Sequence, residues 1–72
     1  MAFGRVLRRY RRAAGLTQEQ LALEADVQRT YVSLMELGRN QPTITTIFKL
    51  ARALHCTPSA MVSATEEECG RP

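Results

Sequence analysis

One histidine, two cysteines and no long apolar run mark this sequence, and each scarcity removes a class of function. No stretch approaches the roughly 18–20 apolar residues needed to cross a bilayer. The opening MAFGRVLRRYRRAAG has arginines where a secretory h-region requires apolar residues, so it is not read as a signal peptide. It shares an arginine-rich, acid-poor character with mitochondrial transit peptides, but its removal would leave too little chain to bury a core. With His55 alone, no Ser/His/Asp set has supporting context, and no glycine-rich phosphate loop is present, so the chain reads as a non-enzyme. His55 and Cys56 are adjacent, but a third ligand at workable spacing is missing, so neither a metal nor another cofactor is expected. Cys69 sits in a polar tail, where pairing with Cys56 would staple little. The thiols are therefore read as reduced and the protein as cytoplasmic. Strand-like alternation is also missing, as are internal repeats and low-complexity segments.

What is present is a basic, helical domain. The 72 residues make one small unit with 44% hydrophobic content, and a core this size often gains stability from a partner subunit. Charge is unevenly spread. Residues 1–55 carry nine Lys/Arg against four acids, whereas residues 56–72 carry Arg71 against Glu66, Glu67 and Glu68. A basic body with an acidic end suits a polyanionic partner held by the body.

The apolar period predicts five helices. The first spans about Phe3–Ala14, with Phe3, Val6, Leu7 and Tyr10 at i, i+3, i+4 and i+7, and stops at Gly15. The second spans about Gln18–Glu24, opened by a Thr17/Gln20 capping box and a Leu16/Leu21 staple, with Leu21 and Ala22 inward. After Ala25–Val27, the third runs from about Gln28 to Leu37 and ends at Gly38. It turns Val32 and Met35 one way and Thr30, Ser33, Leu34 and Leu37 the other. A loop over Arg39–Pro42 leads to the fourth, about Ile44–Leu54, capped by Thr43, with an inward stripe of Ile44, Ile47, Phe48, Ala51 and Leu54. The fifth, capped by Thr57 with Pro58 at its first position, is expected to end near Ala64. Residues 1–65 thus form the domain, and 66–72 an acidic, flexible tail.

Two short helices joined by about three residues can present the second to a partner, and a major groove admits one helix. In addition, the run G-L-T-Q-E-Q-L-A, then R-T-Y-V-S, then M-E-x-G-R, then TITTIFKLARALHC, resembles the Cro/C1-type (XRE-like) helix-turn-helix family. Restriction–modification controller proteins and small phage repressors are the nearest likeness. The resemblance covers residues 3–64. It implies an all-α, five-helix, lambda-repressor-like domain with helix three as recognition helix. It also implies a dimer that binds a roughly palindromic operator on double-stranded DNA and regulates transcription.

Carried over to this chain, the resemblance gives Gln18 a phosphate contact at the start of helix two. Arg29 and Thr30 receive base edges, and arginine suits the paired acceptors of guanine. Ser33 takes a base or phosphate, Tyr31 a flanking contact, and Arg39 and Asn40 phosphate beyond the helix. Arg11 and Glu36 form a structural ion pair across helices one and three. The chain departs from the family pattern in four places. Gln28, counted with the DNA-facing residues, replaces a short capping side chain. Asp26 replaces a turn glycine. Leu34 and Leu37 face outward; Leu34 is assigned to thymine methyls or to a protein contact. Helix five lacks the usual run of leucines, which bears on the strength of dimerisation; the dimer seam is placed on Leu54, Met61 and Val62, at a short terminal helix of a small chain.

The arginines of helix one read mainly as solubilising charge, and a membrane-surface role leaves unexplained why the apolar stripe of that helix is needed to close the core. A second class of function stays open: an antitoxin or interaction module on the same fold, gripping a toxin or other protein through Leu34, Leu37 and the acidic tail. Bacterial or phage origin and association with the nucleoid follow from the regulator reading.

Overall fold

The computed structural model describes residues 2–70. It contains five helices and, among those residues, no strand: α1 (Ala2–Ala13), α2 (Gln18–Ala25), α3 (Arg29–Glu36), α4 (Ile44–Ala53) and α5 (Pro58–Cys69). α1 packs on α5 and α3, α2 packs on α3 and α4, and α4 packs on α5. Seven large side chains are sealed at the centre: Val6 and Leu7 from α1, Leu21 from α2, Val32 and Met35 from α3, Leu50 from α4 and Met61 from α5. Each such burial contributes about 1.5–3 kcal/mol.

The helix boundaries have local chemical causes. Thr17 Oγ1 accepts the Gln20 N–H (3.1 Å) and the Gln20 side-chain oxygen accepts the Thr17 N–H (2.9 Å), closing a reciprocal box at the start of α2. Thr43 and Thr57 cap α4 and α5 by accepting the N–H groups of Thr46 and Ala60. α1 stops at Gly15 and α3 at Gly38, both with positive φ. Asp26 occupies the left-handed region (φ 57°, ψ 49°) in the turn between α2 and α3. That conformation costs asparagine and aspartate less than other non-glycine residues.

Two expectations are corrected here. The inward stripe of α4 is narrower than its apolar residues suggest. Leu50, Ala51 and Leu54 are buried and Ile47 is partly so, but Ile44 and Phe48 are 74% and 59% exposed. The buried set 47, 50, 51, 54 already fills the i, i+3, i+4, i+7 seam, leaving Ile44 and Phe48 as a second stripe to one side. α5 does not end near Ala64 but continues to Cys69, so Glu66–Glu68 are helical rather than tail. The last turns are held by Glu68, which accepts from Arg5 Nε at 2.9 Å and Arg9 Nη1 at 3.4 Å on α1. Arg71 and Pro72 lie outside the described residues.

Candidate nucleic-acid interface

α3 is fixed from beneath and bare on top. Val32 and Met35 are fully buried, while Arg29 and Thr30 at its first turn are exposed and Ser33 and Leu34 are half-buried along the same side. Gln28 is the N-cap by its extended backbone (φ −80°, ψ 143°), but its side chain makes no capping hydrogen bond. It is exposed, as are Leu37, Arg39 and Asn40 at the far end of the helix and in the following loop.

The tilt of α3 is set at its last residue. The Glu36 carboxylate is wholly buried, and it accepts from Arg11 Nε (2.6 Å) and Arg11 Nη2 (3.0 Å), from Gln18 Nε2 (3.1 Å) and, at 3.4 Å, from Arg8 Nε. Arg11 also donates to the Leu16 carbonyl at 2.9 Å, which ties in the α1–α2 connection. Burial by itself raises the Glu36 pKa, but the hydrogen bonds from Arg11, Gln18 and Arg8 and the charge of Arg11 outweigh it and hold the carboxyl below its ordinary value. The hydrogen bond that Arg11 donates to Glu36, reinforced by the carboxylate charge, raises the guanidinium pKa against the opposing effect of burial.

This close approach of α1 to α3 depends on Gly4. A Cβ there would lie 2.8 Å from the Glu36 carbonyl oxygen and closer still to that of Met35. Gly4, Arg8 and Arg11 fall at i, i+4 and i+7, one face of α1 turned toward the end of α3.

Next to this network a hollow of about 310 Å³ is lined by Arg11, Thr17, Gln18, Glu19 and Arg29. It joins the N-terminus of α2 to that of α3. The capping box takes the Gln20 N–H, and the N–H groups of Gln18 and Glu19 have no acceptor inside the helix. With Arg29 on its wall, this hollow suits an anion, with the Glu19 carboxylate as the opposing charge.

The structure thus brings Gln18 and Arg29 to one hollow and sets Arg29, Thr30 and Ser33 on one open face, with Arg39 and Asn40 beyond it. The Gln18 side chain donates from Nε2 to Glu36, a contact that sequence reasoning missed. The Arg8–Glu36 contact, the Gly4 approach and the clasp of Arg5 and Arg9 on Glu68 were missed as well. Of these, only Gly4 left a trace in the sequence: a glycine inside a helical pattern usually has a packing reason.

The expected dimer seam is not available as drawn. Met61 is fully buried and Leu54 nearly so within one protomer, both in the core where α1 and α4 pack on α5, and of the three only Val62 is open, at 52%. Cys56 is half-buried, and that burial pushes its thiol pKa up. No group of three or more His, Cys, Asp or Glu able to hold a metal occurs among the described residues.

The helix-turn-helix pattern matches residues 7–61, from α1 into α5. The chain belongs to the helix-turn-helix family. It is similar to y4dJ, an uncharacterised HTH-type transcriptional regulator of Sinorhizobium fredii, at 39% identity over 82% of this chain and 77% of that one. It is also similar to the control protein C.BamHI of Bacillus amyloliquefaciens, at 33% identity over 90% and 82% of the two chains. Among solved structures it resembles the restriction–modification controller protein C.AhdI of Aeromonas hydrophila. There the TM-score is 0.81 at 40% identity, over 83% of this chain and 91% of that one. The five-helix, all-α fold is that of these helix-turn-helix controllers, and the family is one of transcriptional regulators rather than enzymes. No helix among the described residues is long and apolar enough to cross a membrane.

Proposed function

We propose that this chain is a sequence-specific transcriptional regulator of the controller-protein kind, binding a roughly palindromic operator on duplex DNA as a homodimer. The observation that carries the reading is α3 itself, pinned at Val32, Met35 and Glu36 and presenting Arg29 and Thr30 to solvent, with half-buried Ser33 on the same side. In a major groove, Arg29 meets guanine acceptors, and such a contact discriminates by about 1–3 kcal/mol. Thr30 and Ser33 read neighbouring edges. The hollow at Gln18 receives a backbone phosphate, with Arg39 and Asn40 bonding another beyond the helix.

The dimer face we assign is the second apolar stripe of α4, Ile44 and Phe48, together with Val62 of α5. These are large hydrophobic side chains that the protomer leaves uncovered. The reading requires two-fold pairing on that face to set two recognition helices about one helical turn of DNA apart, which dictates a palindromic site. Such a regulator works in the cytoplasm, at the nucleoid.

The test is selection from a random duplex pool, followed by binding of Arg29→Ala to each single-base variant of the selected site. Specificity is expected to relax at one base pair per half-site, with the mass of the complex that of two chains on one duplex. Uniform weakening at all positions removes Arg29 as a reader. Failure to enrich any sequence, combined with tight co-purification of a toxin-like protein, turns the assignment to the antitoxin class.

A further inference from the structure

The loop after the recognition helix is tied back to that helix at both ends. At its start, the Leu34 carbonyl accepts the N–H groups of Arg39 (2.9 Å) and Asn40 (3.3 Å). At its end, the Tyr31 hydroxyl donates to the Gln41 carbonyl at 3.2 Å. Pro42 and the Thr43 cap then pass the chain into α4. Both anchors, Tyr31 and Leu34, belong to α3 and lie three residues apart, on the same side of the helix. The Tyr31 ring packs against the core cluster, so its hydroxyl is held from below. Between the anchors, Arg39 and Asn40 are exposed.

A tyrosine at this place in a recognition helix has two possible uses: its hydroxyl reads DNA, or it holds something that does. Here its one proton is engaged by the loop. Taking it away leaves the Gln41 carbonyl with no other protein donor among the described residues. We infer that Tyr31 is a positioning residue: its hydroxyl latches the 39–42 loop to α3, so that Arg39 reaches phosphate in fixed register with the bases read by Arg29 and Thr30. This rests on the DNA-binding reading above.

The test is Tyr31→Phe, which keeps the ring and removes only the hydroxyl. In the free protein, amide hydrogen exchange at Arg39 and Asn40 is expected to accelerate while the thermal midpoint stays within a few degrees. On a selected operator, affinity falls roughly two- to tenfold, the range of one net hydrogen bond. The loss is equal across base variants, and the log–log salt slope becomes shallower by about 0.9, one phosphate's share. In an Arg39→Ala background the substitution costs nothing further. Unchanged exchange, a loss confined to one base pair, or full additivity with Arg39→Ala each overturns the latch. A wild-type protein that binds no duplex in a salt-dependent way sinks the DNA reading instead, and the exchange measurement still judges the latch.

Discussion

Glu36 and Glu68 are both gripped by two arginines of α1, yet they differ in what the grip is worth. Glu36 is sealed between three helices, and its main partner, Arg11, has a side chain only 12% exposed. Glu68 closes the end of α5 onto Arg5 and Arg9, whose side chains are each 57% exposed. Its carboxyl pKa is lowered first by the hydrogen bond from Arg5, and then by Arg9 and by both charges. Water screens that clasp, and exposed pairs of this kind add little. In the buried pair, losing one partner strands a charge in a place where water cannot replace it. Burial, more than the number of contacts, decides the worth of a salt bridge.

The sharpest way to break this contrast is Arg11→Ala, which leaves Glu36 with Gln18 and a distant Arg8. A loss of about 3 kcal/mol is expected in chemical denaturation, at the low end for a severed buried pair because two partners remain. A loss below a few tenths would place Glu36 among the solvated carboxylates.

Acid gives a second, smaller lever. Glu36 has a depressed pKa in the folded state, so its stabilisation is complete above its ordinary value near 4.5 and drains as pH falls through the lower folded value. Wild type and Glu36→Gln should therefore differ most at neutral pH and converge as pH drops below about 4.5. Parallel stability curves down to pH 2 would refute the linkage.

The smallest effect belongs to Glu68→Gln. The thermal midpoint is expected to hold in high salt and to move only slightly in low salt, with fraying confined to the last turn of α5 in amide exchange. Global destabilisation would show that the clasp organises more than a helix end.

Most of the fold was legible because its signals are local. The Thr17/Gln20 box, the threonine caps at 43 and 57, and the stops at Gly15 and Gly38 each act within one turn of their own position. The exposure of Arg29 and Thr30 followed in the same way from the inward phase of Val32 and Met35. What escaped was set by contacts distant along the chain. Glu68 meets Arg5 across 63 positions, so the fading period after Ala64 gave no reason to continue α5. Met61 looked free to serve a partner only while the packing of α1 on α5 was unknown. On α4, a wide apolar band does not reveal which of its edges the protomer will cover. The Gln18–Glu36 bond is of the same kind, a lateral contact between two polar groups that no periodicity marks.

The fourfold grip on Glu36 separates what α3 presents from how it stands. The groups that clamp its last turn come from α1 and α2 and share no atom with Arg29, Thr30 or Ser33. In the role proposed for them, those three side chains behave like movable type in a locked frame. If they read bases as proposed, exchanging those three letters is expected to rewrite the DNA word this domain prefers while its melting curve stays where it was.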